Sequence, residues 1–190
     1  MPNTMILGEN EYGLAERAIL FDRWLSTTTL PDVLARPAVM TAAVEQPAPV
    51  LRKVVIRRRG PELLVEVHTN RPMSPTFLKS VEAVADLLSL PPGWNSYSAK
   101  PIAPQNSVRA IRLLAEFLEP QTPRPAVVPR VQGGIQLEWH TESIDIEVYV
   151  DSPKEVSFFA EHVESGESFE GPLAGQEQVL KAWVQRVSGK

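Results

Sequence analysis

Eighteen prolines interrupt this chain of 190 residues, and their placement limits the possible folds more than any other feature. Proline lacks a backbone N–H and breaks the interior of a helix, so regular elements must fit between the clusters at 31–49, 72–75, 91–104 and 120–129. The intervals left over suit single helices and short strands in series. With 43% hydrophobic residues, 22% charged residues and a formal net charge of −4, the chain reads as punctuated rather than disordered, long enough for one core plus an appendage.

Cysteine is absent. Disulfide frameworks, thiol nucleophiles and cysteine-held zinc or iron–sulfur groups are therefore excluded, and a reducing compartment is compatible with the chain. No apolar run reaches bilayer-spanning length, and MPNTMILGENEYG lacks the basic and apolar regions of a secretory leader, so the expected location is the cytoplasm, away from membranes.

Periodicity then places the elements. Residues 14–26 carry Leu14, Ile19, Leu20, Trp24 and Leu25 near one face of a short predicted helix, and 27–49 has neither period nor strong charge. Together they form an N-terminal helix and proline-rich extension, 1–49, ahead of a core spanning 50–190. VLRKVVIRRRGPELLVEVH at 50–68 predicts a β-hairpin broken at Arg59, Gly60 and Pro61, with Leu63, Val65 and Val67 sharing a face.

Over 75–119, two amphipathic helices are predicted around the loop at 91–104. The first has Ser74 as N-cap, Pro75 at its first position and Phe77, Val81, Val84, Leu87 and Leu88 on one side; the second starts at Pro104, with Val108, Ile111, Leu114, Ala115 and Leu118 together. AVVPRV, IQLEWH, SIDIEVYV and EVSFFAEHV, within 126–163, alternate with period two and predict an antiparallel β-meander of three to four strands. Val179, Leu180, Trp183 and Val187 mark a C-terminal helix over 175–187. The expected fold class is α+β.

Within the meander, a two-residue turn at Thr141 and Glu142 would set Trp139 opposite Ile144, Leu137 opposite Ile146 and Ile135 opposite Val148, apolar against apolar. The same register sets Glu138 opposite Asp145 and Gln136 opposite Glu147. Opposed carboxylates repel unless a positive group lies between them or one is protonated. Glu138 and Asp145, with Glu161 on the next strand, are thus a candidate metal site or acid–base pair for hydrolysis. A solvated acidic strand face is the plainer explanation, because the three histidines, at 68, 140 and 162, are scattered.

Arg52, Lys53, Arg57, Arg58 and Arg59 form a second candidate, a strip able to meet nucleic-acid phosphates. No aromatic residue interleaves with these cations, and no helix-turn-helix, zinc-finger or RNA-recognition signature accompanies them. A charge-protected edge strand, or a strand paired with the acidic sheet face of the same chain, accounts for them equally well. Cofactor and catalytic signatures are missing. Gly133-Gly134 belongs to no phosphate-binding pattern and precedes a strand, where glycines permit a turn or bulge, and no G-x-S-x-G elbow occurs.

LPPGWNSYSAKPIAP at 90–104 sets two aromatic rings in a proline-rich loop. Asn95 and Ser96 are suited to close a turn on neighbouring backbone groups, while Trp94 and Tyr97 cost free energy if left in water. Either Trp94 fills a gap between the helical pair and the sheet near Trp139, with Tyr97 reaching a backbone carbonyl, or the rings form an exposed patch of the kind enriched at interfaces. Pro92, Gly93, Trp94, Asn95, Tyr97, Ala99 and Pro101, followed by Gly133, Gly134, Ile135, Gln136, Leu137, Glu138 and Trp139, resemble a family of small uncharacterised bacterial proteins over roughly residues 85–187. Asn95, Ser98 and Ala103 stand where that family carries aspartate, glycine and serine. The resemblance implies a shared fold and no particular activity.

These features favour a non-enzymatic bacterial interaction component of antitoxin, immunity or accessory-subunit type. It would need no cofactor and would bind a protein partner through Leu20, Trp24, Trp94, Asn95 and Tyr97. The N-terminal extension belongs to that set because it has apolar side chains but little means of burying them alone.

Overall fold

A three-stranded antiparallel sheet comes first in the chain. In this computed structural model the backbone is described for residues 3–7, 51–59, 62–69 and 73–189, with side chains from 53–57, 64–69 and 73–189. Strands β1 (Asn3–Leu7), β2 (Leu51–Arg59) and β3 (Glu62–Thr69) lie in the order β1-β3-β2, so the predicted hairpin of β2 and β3 gains a third strand from the far N-terminus. Val54 pairs with Val67 and Ile56 with Val65, which puts these four on the face turned to the core. The predicted helix at 14–26, with Leu20 and Trp24, and the linker at 27–49 lie outside the described residues.

Helix α1 (Pro75–Leu87) starts as its sequence specifies: the Ser74 hydroxyl accepts from Phe77 N–H at 3.1 Å, and Pro75 occupies a position whose missing N–H costs nothing. Helix α2 (Pro104–Phe117) follows the loop. Its buried side exceeds the predicted stripe, because Asn106, Ser107, Ala110, Leu113 and Phe117 are buried along with Ile111, Leu114 and Ala115, while Val108 is only half-buried. The cause is its position: α2 packs on β2 and also on the sheet formed later in the chain.

That sheet is a meander of β4 (Ala126–Pro129), β5 (Ile135–His140), β6 (Ile144–Val150), β7 (Val156–His162) and β8 (Glu167–Pro172), antiparallel throughout and adjacent in chain order. Alternation decides its faces, with Ile135, Leu137, Trp139, Ile146, Val148, Phe158 and Ala160 buried toward the helices. Each large side chain so buried stabilises the fold by roughly 1.5–3 kcal/mol relative to exposure. Strand β8 goes beyond the predicted three to four strands; its sequence, ESFEGP, has a single large apolar residue and so no period to detect. Helix α3 (Glu177–Val187) closes the chain against β6 and β7 through Leu180, Trp183 and Val184.

One hydrophobic core runs from Val65 and Val67 through Val81, Ile111 and Leu114 to Leu137, Val148 and Leu180. Among the described residues, no helix is long and apolar enough to cross a membrane.

The β5–β6 hairpin departs from its predicted register by two residues. His140 pairs with Asp145, Trp139 with Ile146, Glu138 with Glu147, Leu137 with Val148, Gln136 with Tyr149 and Ile135 with Val150. Thr141 causes the shift: its Oγ1 accepts from Ile144 N–H at 2.9 Å and its own N–H donates to Ile144 O at 2.9 Å, closing the loop one pair later than a Thr-Glu turn would. Glu138 and Asp145 are therefore not opposite each other, a correction to the expected pair.

Candidate functional site

The loop between α1 and α2 is fastened by its own polar groups. Gly93 N–H donates to Ala99 O at 2.8 Å, and the Asn95 carboxamide oxygen accepts from Tyr97 N–H at 3.0 Å and from Ala99 N–H at 3.2 Å. The Trp94 indole N–H donates to Lys100 O at 3.1 Å. Ser96, at φ 66°, takes the left-handed conformation that lets the chain double back on Asn95.

The same loop is tied to the turn that precedes β5. Lys100 N–H donates to Val131 O at 2.8 Å and Ala103 N–H to Gly133 O at 3.0 Å. Gly133 has φ +87°, and a Cβ on it would lie 2.7 Å from Pro101 O; a Cβ on Gly134 would lie 2.7 Å from Val150 O. The glycine pair is thus where one backbone runs directly against two others. Asn106, 4% exposed, locks the seam by donating to Gly133 O at 3.0 Å and to Asp151 O at 3.1 Å. Sequence reasoning missed Asn106; a polar residue on the apolar side of an amphipathic helix was the available signal.

Tyr97 stands out of this scaffold with 86% of its surface exposed, while Trp94 is half-buried. The expected plug beside Trp139 is not observed. Trp94 adjoins the chain entering β5, whereas Trp139 lies at the strand's other end, its indole N–H donating to Pro123 O at 2.9 Å. Nor does the Tyr97 phenol bond a backbone carbonyl of the described residues. Of the residues expected to bind a partner, the structure brings Trp94, Asn95 and Tyr97 into one loop.

Among the described residues, the helices pack on one face of the meander and leave the other uncovered. Register sets Glu138, Glu147, Phe159 and Glu170 side by side across β5 to β8, with His140, Asp145, Glu161 and Ser168 in the next row. His140 stands between the two carboxylates singled out from the sequence, its Nδ1 3.1 Å from Asp145 Oδ1 and its Nε2 3.4 Å from Glu138 Oε2. The Asp145 hydrogen bond, against an opposing effect of burial, raises the His140 pKa above its ordinary 6.5, and Glu138 adds to the rise.

Farther along the face, Glu147 accepts from Gln136 Nε2 at 3.0 Å and from the Tyr149 hydroxyl. Burial, reinforced by Glu147, pushes the Tyr149 phenol up to about 12. The Arg130 guanidinium lies 4.6 Å from the Tyr149 ring centroid and bonds Asp151 Oδ1 at 2.9 Å. Arg130 and Tyr149 were not found from the sequence, because only the register shows that they share a site.

Glu138 and His140 also border a shallow cavity of about 280 Å³ with Arg124, Trp139, Thr141 and Val187. Among the described residues no group of three histidine, aspartate or glutamate side chains is arranged to hold a metal ion. The expected positive group between Glu138 and Asp145 is supplied by His140 itself.

Strand β2 presents Lys53 and Arg57 to solvent, and neither has an ion-pair partner among the described residues; the side chains of Arg52, Arg58 and Arg59 lie outside that set. β2 packs on α2, on the helical side of the meander. Lys53 and Arg57 are therefore separated from the acidic face of their own chain, against the one alternative in which strand and face pair within a single molecule. No protein-family model, curated protein or solved structure matches this chain.

Proposed function

We propose that the protein is a non-enzymatic interaction component, in the class of accessory, antitoxin or immunity proteins, and that it engages a protein partner through the Tyr97 loop. The observation that carries this reading is the 86% exposure of Tyr97 on a loop whose backbone is already held by Asn95, Trp94 and Lys100. A rigid aromatic side chain loses little conformational freedom on binding and buries a large area, so it suits the centre of an interface. Val131, 50% exposed, lies in the segment whose backbone bonds Lys100, three residues along from Tyr97.

The test compares the intact chain with Tyr97→Ala as bait in the native cytosol. A stoichiometric protein captured by the wild type and lost with Tyr97→Ala, at unchanged thermal stability, supports the reading; equal capture by both overturns it. Leu20→Ala and Trp24→Ala test the N-terminal extension without removing β1, whose pairing with β3 makes truncation of residues 1–49 a change to the fold.

A further inference from the structure

Two oppositely charged surfaces of this molecule face away from each other. On the open side of the meander five carboxylates, Glu138, Asp145, Glu147, Glu161 and Glu170, lie in two adjacent rows. Glu138 is directly opposite Glu147 and Asp145 directly opposite Glu161, arrangements that destabilise a strand pair unless cations approach. Among the described residues, His140 stands between Glu138 and Asp145, Arg124 borders the cavity beside Glu138 and His140, and Arg130 lies at the rim against Asp151 and Tyr149. On the helical side, β2 is an edge strand among the described residues, paired with β3, and presents exposed Lys53 and Arg57 with half-buried Val55 between them. One chain cannot bring the two surfaces together.

We infer that the open acidic face of the meander docks strand β2 of a second copy of this chain, head to tail. The dimensions agree. Lys53 and Arg57 are about 13 Å apart along β2, and Glu138 and Glu170, three strand spacings apart in one row, are about 14 Å apart. A strand laid across the meander therefore sets one cation over each end of that row and Val55 over its middle, where Phe159 supplies an apolar surface. Because the two patches differ, the contact is heterologous: a docked pair keeps a free basic strand on one copy and a free acidic face on the other, so association continues into open chains unless it closes into a ring. Charged contacts on exposed surfaces are weak and screened by salt, so the association belongs to low ionic strength and high protein concentration. It does not depend on Tyr97.

Sedimentation of the full chain at about 20 mM and about 300 mM salt tests this. The wild type is expected to grow in mass with concentration at low salt and to return to the monomer at high salt. Lys53→Glu with Arg57→Glu, and separately Glu161→Lys with Glu170→Lys, should each stay monomeric. These four side chains face solvent or the sheet surface, and the neutral versions, Lys53→Gln with Arg57→Gln and Glu161→Gln with Glu170→Gln, repeat the test should charge reversal disturb folding.

The decisive sample is an equimolar mixture of the two neutral variants, Lys53→Gln with Arg57→Gln and Glu161→Gln with Glu170→Gln, because the charge-reversed pair would be complementary again through Glu on β2 and Lys on the meander. One neutral variant retains the acidic face and the other the basic strand, so the mixture should give a 1:1 dimer and nothing larger. A wild type that remains monomeric at about 1 mM protein in low salt overturns the inference, as does self-association that survives in either charge-reversed variant. Bound nucleic acid lost with Lys53→Glu and Arg57→Glu, without self-association, would assign β2 to phosphate contacts and overturn it equally.

Discussion

His140 Nδ1 lies 3.1 Å from Asp145 Oδ1, across the last pair of the β5–β6 ladder. The contact, with Glu138 on the other ring nitrogen, favours the charged imidazole and raises its pKa above 6.5. Glu161 opposes Asp145 on β7, and Arg124 borders the cavity beside the ring. A group bound more tightly to its proton when folded stabilises fully below the unfolded value, and that stability is lost as pH rises through the folded value. Thermal unfolding should therefore show a stability loss that begins near pH 6.5 and continues above it, and His140→Gln should abolish that part of the profile. An unchanged profile in His140→Gln would contradict the geometry.

Asn95 uses only its carboxamide oxygen, as an acceptor for Tyr97 N–H and Ala99 N–H. Asn95→Ala leaves both donors without this partner and should cost about 1–2 kcal/mol. Asn95→Asp keeps the acceptor and should stay within about 0.5 kcal/mol of wild type. Chemical denaturation of the two variants distinguishes this from a role for the amide N–H₂, which would make Asp as costly as Ala.

Gly133→Ala should be far more damaging than a surface substitution. Its φ of +87° disfavours any side chain, and the new Cβ would meet Pro101 O at 2.7 Å. A loss of about 2 kcal/mol or more is expected, read as a lowered denaturation midpoint with an unchanged slope.

Ala103 occupies the N-cap of α2 in an extended conformation, with no side-chain hydrogen bond. Unlike Phe77 N–H in α1, which bonds the Ser74 hydroxyl, Asn106 N–H already donates to Ala103 O at 2.9 Å. Ala103→Ser offers that donor a second acceptor and should shift stability by less than about 0.5 kcal/mol; a gain of about 1 kcal/mol or more, read from the unfolding midpoint, would show that the helix start rearranges to a full side-chain cap.

Local pattern determined most of the described elements and the side each turns inward, though not β1 or β8. The 3.6-residue spacing of Phe77, Val81 and Val84, the Ser74-Pro75 start of α1 and the alternation in IQLEWH and IDIEVYV each act within one segment, so they are legible without the rest of the chain. Only the tertiary structure decided which register the hairpin adopts. Registers differing by two residues bury the same side chains, and the choice fell to two hydrogen bonds between Thr141 and Ile144. It also decided that His140, rather than open space, separates Glu138 from Asp145, that α2 is covered from two directions, and that β2 and the acidic face point apart. Those outcomes depend on contacts between residues distant in the chain, for which a single segment carries no period.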